Sequence, residues 1–211
     1  MPYLPAGWRR IYLDLDNTLI DSVRRYEDEQ ETAERHGVPR AEYIRAVETL
    51  YARHGTASYC FPLLFSILIE TRPDAPEALL AELKTLLDKQ YFFPDTLAFL
   101  SRFSRKELVV VTEGRYEFQW PKAVAHNLLE YVRAVRISHT RKKSEMVEEH
   151  GQTFFLDDAA RHIDEVKRAH PDVVCIQVRS AAPWEKKQTP ALADLSCATL
   201  TEAADFIESL R

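Results

Sequence analysis

Short β-rich runs alternate with helical segments through the second half of the chain, and one more run stands alone near its start. ELVVV (107–111), RAVRI (133–137), TFFL (153–156) and VVCIQV (173–178) are rich in branched and aromatic residues. Such alternation predicts parallel strands joined by crossover helices. RIYL (10–13) has the same texture, but residues 21 to about 105 read as helix after helix. The pattern therefore predicts a discontinuous α/β core of residues 1–20 and 96–211, with a mostly parallel five-stranded sheet. An all-helical unit is inserted at 21–95.

The inserted unit carries clear helical stripes. Residues 40–54 place Tyr43, Ile44, Val47, Leu50 and Tyr51 on one face, with Pro39 before and Gly55 after. Residues 76–90 do the same with Leu79, Leu80, Leu83, Leu86 and Leu87. Between them YCFPLLFSILIE is apolar nearly all round, the pattern of a buried helix in a small bundle. Packing accounts for all three, and no cofactor box is visible. Residues 179–197, with Pro183 and Pro190, read as an irregular connection.

Composition removes several classes of function. The 211 residues are 45% hydrophobic and 29% charged, which predicts a packed core rather than disorder. No apolar stretch approaches the roughly 18 residues a membrane span needs, and MPYLPAGWRR lacks the apolar region of a signal peptide. Cys60, Cys175 and Cys197 are odd in number and far apart, so free thiols in a reducing cytoplasm are expected. A net charge of -5 argues against a nucleic-acid partner, which would need basic surface. Arg9-Arg10, Arg24-Arg25 and Lys186-Lys187 read as solvated faces, although Arg24, Arg25 and Tyr26 lie where they could face a pocket.

In an open α/β sheet, ligands sit beyond the carboxyl ends of the strands. After the first run come Asp14, Leu15, Asp16, Asn17 and Thr18; after the second, Thr112, Glu113 and Gly114; after the fourth, Asp157 and Asp158. Arg141-Lys142-Lys143-Ser144 falls between the third and fourth. Singly, these could be turn residues, a helix cap and a surface triplet. Together they bring carboxylates, a hydroxyl and a lysine to one sheet edge. Clustered carboxylates repel one another, and a hard divalent cation with oxygen ligands removes that cost.

This order of motifs resembles the haloacid dehalogenase superfamily. DLDNTL is similar to its first motif, VVVTEG to its second, Lys142 or Lys143 to its third, and FFLDD to its fourth. The resemblance spans nearly the whole chain and implies a three-layer, Rossmann-like core under a helical cap. It implies a Mg²⁺-dependent phosphatase acting on a small-molecule phosphate ester through an aspartyl-phosphate. Asp14 would be the nucleophile and Asp16 the general acid and base. Thr112 would hold a phosphoryl oxygen, and Lys143 or Lys142 would neutralise charge. Asp14, the Asp16 carbonyl, Asp157 and Asp158 would hold the Mg²⁺. Glu113 borders the substrate position without an assigned role. The alternatives are a phosphomutase, a phosphonatase using cap Lys84 or Lys89, and a non-catalytic phosphate-binding module.

Overall fold

The computed structural model describes residues 9–179 and 189–210. Its core is a sheet of six parallel strands in the order β3-β2-β1-β4-β5-β6. These are β1 (Arg9–Leu13), β2 (Leu108–Glu113), β3 (Ala134–Ser138), β4 (Gln152–Asp157), β5 (Val174–Val178) and β6 (Leu195–Cys197). The first five fall on the five apolar runs. The sixth corrects the expectation of five strands and lies in the stretch read as irregular. It is a three-residue edge strand, and none of its residues is buried, so it leaves no apolar signature. Asp194 ties its start to β5, its side chain accepting from the Cys175 N–H at 2.7 Å. Residues 180–188, with Pro183 and the Lys186-Lys187 pair, lie outside the described residues.

Central strands buried on both faces need continuous apolar runs rather than alternation, and β1, β2 and β4 have them. Ile11, Leu13, Val110, Phe154 and Leu156 face one side, against α5 (Thr96–Arg102) and α9 (Leu200–Ser209). Tyr12, Val109, Val111 and Phe155 face the other, with Ile163 and Val166 of α8 (Ala160–Ala169). Helices α6 (Tyr116–Ala125) and α7 (Leu128–Tyr131) connect β2 to β3.

Between β1 and α5 run α1 (Ser22–Arg35), α2 (Arg40–His54), α3 (Phe61–Thr71) and α4 (Glu77–Thr85). Helix α2 has the expected limits. The next stripe ends sooner as helix, tightening into a 3-10 turn over Leu86–Asp88. Helix α3 is two-faced rather than buried all round: Phe61, Leu64, Ile67 and Leu68 are buried, but Ile69 is 40% exposed. These helices share an apolar cluster of their own, joined from the sheet side by Phe118 of α6. Glu29, fully buried among them, pairs with Arg25 and accepts from the Tyr43 and Tyr59 hydroxyls at 2.9 and 2.6 Å. Among the described residues, no helix is long and apolar enough to cross a membrane.

Candidate active site

Strand order creates the site. The chain builds β1, β2 and β3 in one direction, then places β4 on the far side of β1. The crevice at such a reversal opens beyond the strands' carboxyl ends. Leu13 stands opposite Leu156 in register, so the next residues, Asp14 and Asp157, emerge side by side. The Asp14 N–H donates to the Leu156 carbonyl at 2.9 Å, which carries the pairing to the edge. Beyond Asp14 the backbone turns sharply, with Asn17 left-handed at φ 61°. Asparagine is among the few side chains that tolerate this conformation. Asp14 and Asp16 thus line one cavity of about 160 Å³, together with Thr112, Glu113, Lys143 and Asp158.

Lys143 and Lys142 part company here. Lys143 is buried, and its Nζ lies 2.5 Å from Asp14 Oδ1 and 2.6 Å from Asp157 Oδ2. Lys142 is exposed and does not line the cavity. A 3-10 turn over Lys143–Glu145 follows it, and this turn carries the second lysine inward. Carboxylate oxygens of Asp14, Asp157 and Asp158 all lie within 4.8 Å of one another, and all three residues are buried. Burial pushes the Asp14 carboxyl up to about 7, against the pull of Lys143. Burial would raise Asp157 too, but Lys143 and His162 outweigh it and hold that carboxyl well below the usual range. Burial opposes the charge on Lys143, yet the two aspartates raise its pKa.

Asp16 sits in a cradle that the sequence motifs did not disclose. Lys122 Nζ lies 2.7 Å from both of its carboxylate oxygens, Gln119 Nε2 donates at 3.0 Å, and Ser22 Oγ at 2.5 Å. Burial disfavours the Asp16 charge, but Lys122 and Arg25 overcome it and keep the carboxylate ionised far below its ordinary value. Burial in turn brings Lys122 down to about 8. The overlooked signal was two polar residues on the inward face of α6, where Phe118, Gln119, Lys122 and Ala123 are all buried. Buried polar residues on a helix face need partners. Gly114 makes room for this cradle: a Cβ there would lie 2.6 Å from Gln119 Nε2, at a φ of +148°.

Glu113 and His162 form a second arm. His162 Nε2 lies 3.4 Å from Glu113 Oε2, and its Nδ1 lies 3.2 Å from both Asp157 oxygens. Burial and Lys143 work against a charged imidazole here, but Asp157 and Glu113 prevail and raise it to about 9. Glu113, which the motifs left without a role, is thus a neighbour of the histidine that supports Asp157. Of the basic pair at the start of α1, Arg25 lines the cavity while Arg24 is exposed.

The sequence itself matches no protein-family model and no curated protein. Among solved structures, it resembles a candidate haloacid dehalogenase-like hydrolase from Burkholderia xenovorans, with a TM-score of 0.76 and 22% identity over 95% of this chain and 99% of that one. It also resembles the L-2-haloacid dehalogenase of Xanthobacter autotrophicus, with a TM-score of 0.68 and 16% identity over 96% and 99%. A third is a candidate hydrolase of the same kind from Bacillus subtilis, bound to magnesium, with a TM-score of 0.66 and 16% identity over 95% and 98%. The chain has the haloacid dehalogenase fold over nearly its whole length.

Proposed function

We propose that the protein is a Mg²⁺-dependent phosphatase of the haloacid dehalogenase superfamily, acting on a small phosphomonoester. The observation that carries this reading is a second carboxylate, Asp16, lining the same cavity as Asp14. A dehalogenase releases halide and has no leaving alcohol to protonate, so it gives that carboxylate no work. A phosphonatase would need a lysine able to form a Schiff base, but Lys84 and Lys89 are both exposed, and Lys89 pairs with Asp28 at 3.2 Å.

In the first step an Asp14 oxygen attacks phosphorus, the ester P–O bond breaks, and the departing alkoxide takes a proton from Asp16. In the second, water attacks the aspartyl-phosphate, Asp16 accepts its proton, and the P–O bond to Asp14 breaks to release phosphate. Dividing one displacement into two lowers each barrier. With Lys122 beside it, Asp16 rests in the ionised state that suits the second step. An entering phosphate dianion adds negative charge nearby and raises the Asp16 affinity for the proton needed in the first. Thr112, 1% exposed at the end of β2, would orient a phosphoryl oxygen, and Lys143 would balance its charge; both line the cavity with Asp14.

The oxygen-only trio of Asp14, Asp157 and Asp158 suits a hard cation. Lys143 offers one positive charge to Asp14 and Asp157 together and His162 a second to Asp157, so three ionised carboxylates would still be one positive charge short without an ion. These residues, with the Asp16 carbonyl, would hold Mg²⁺, which would ionise Asp14 near neutral pH and polarise the phosphoryl group. Residues 21–95 would act as the lid, excluding water from the cavity. The test is hydrolysis of 4-nitrophenyl phosphate with Mg²⁺. Wild type should release phosphate, and Asp14→Asn should lose at least about a thousandfold in kcat while remaining folded. Equal turnover by Asp14→Asn would overturn the mechanism.

A further inference from the structure

A second cavity of about 460 Å³ adjoins the one that holds Asp14. Arg25, Tyr51, Thr56, Tyr59 and Arg161 line both. The first cavity is about 160 Å³, whereas small-molecule pockets usually enclose roughly 300–1,000 Å³. The body of a larger ester therefore extends into the second.

The walls of that space are specific. Tyr26, Tyr51 and Tyr59 give it aromatic rings, with the last two centred 5.8 Å apart, and Ile44 and Val47 give it branched apolar surface. Arginines 25 and 161 are its cations. The first is committed to buried Glu29 and lies over the Phe118 ring at 5.0 Å. The second, on the first turn of α8, is exposed and makes no hydrogen bond or ion pair with any described residue, although its charge is felt by Glu113, which lines the first cavity with it. Glu48 is the one acid among the described lining residues. It is exposed at the rim, where water screens it. A planar guanidinium in a cavity with aromatic walls is suited to a carboxylate, which it can grip with two parallel hydrogen bonds.

We propose that the alcohol portion of the substrate has an aromatic or branched apolar body carrying a second anionic group, a carboxylate, bound by Arg161. This inference rests on the phosphatase reading for the orientation of the ester, with its phosphoryl group at Asp14. It makes Arg161 a specificity residue on the sheet side of the cavity, across from the tyrosines of the helical insertion.

The test compares phenylphosphonate with 4-carboxyphenylphosphonate, whose C–P bonds water does not cleave, binding to the full protein with Mg²⁺ by calorimetry. The matching phosphate esters are assayed for turnover. Wild type should bind the carboxylated compound at least about tenfold more tightly, the scale of one charge-assisted pair. Arg161→Gln should bring that ratio near one. Arg168→Gln, on the same helix beside Asp164, should preserve it and so exclude a general effect of charge. A ratio near one in wild type, or one unchanged by Arg161→Gln, overturns the inference. A ratio that behaves as expected without turnover of either ester leaves Arg161 as the reader and refutes the phosphatase reading instead. Failure of both compounds to bind refutes both.

Discussion

Replacing Glu29 by glutamine tests how the helical insertion holds its cavity-facing side chains. Glu29 is fully buried, and its partner Arg25 has a side chain 9% exposed. Removing one member of a buried ion pair costs about 3–5 kcal/mol, because the other charge is left without compensation. Arg25 would keep the face of Phe118 and the nearby Asp16 charge, which sets the expectation at the lower end, about 3 kcal/mol. Both tyrosines donate to the same oxygen, Oε2, and Arg25 to the other, so the isosteric amide either accepts from both hydroxyls with its NH₂ facing the guanidinium, or accepts from Arg25 with its NH₂ facing both hydroxyls. In a domain of this size, about 3 kcal/mol lowers the Tm by roughly 6–12 °C. Urea unfolding of wild type, Glu29→Gln, Arg25→Met and the double variant forms a cycle. The double variant should cost at least about 1 kcal/mol less than the two single losses together. A Glu29→Gln loss below about 0.5 kcal/mol, or strict additivity, would refute the claim that this pair anchors the wall.

His126 predicts a pH dependence of stability. Its Nε2 accepts from the Tyr91 N–H at 2.7 Å, so its Nδ1 carries the proton and donates to the Lys122 carbonyl, also at 2.7 Å. Burial lowers its pKa in the folded state, so the unfolded chain takes up the proton first, near pH 6.5. Above that pH His126 adds no dependence; below it, stability falls until the folded histidine also protonates. Asp14 and His162, both raised in the folded state, add stability as pH falls over the same range, so the test is differential: in urea melts at pH 7.5 and 5.5, wild type should lose stability on acidification relative to His126→Gln. Gly114→Ala should lower both activity and stability, since its Cβ would push Gln119 away from Asp16 and strain a backbone that favours glycine. About 1–3 kcal/mol of stability and at least about tenfold in kcat are expected; wild-type values for both would show that the Gln119 contact is dispensable.

How much of this was legible follows from what burial writes into a sequence. Strands β1 to β5 are buried runs and could be read, whereas β6 is short, at the sheet edge and unburied. Asp14, Thr112 and Asp157 could be placed because they stand at or just beyond the ends of apolar runs, where strand order brings them together. The choice between Lys142 and Lys143 needed the turn that swings one lysine inward. Lys122, Gln119 and His162 come from helices, and their side chains reach the site only through the way α6 and α8 pack. The two polar residues on the buried face of α6 were a visible anomaly, but nothing in one dimension names Asp16 as their partner.

Strand β1 lies between β2 and β4, and both of these are made only after the entire helical insertion. No hairpin can shelter β1 in the meantime, and its neighbours arrive at the entropic cost of closing long loops. During that wait Ile11, Tyr12 and Leu13 form a sticky edge that could join a neighbouring chain as readily as its own. Arg9 and Arg10, immediately upstream, put positive charge beside that edge, where gatekeeper residues discourage such mispairing.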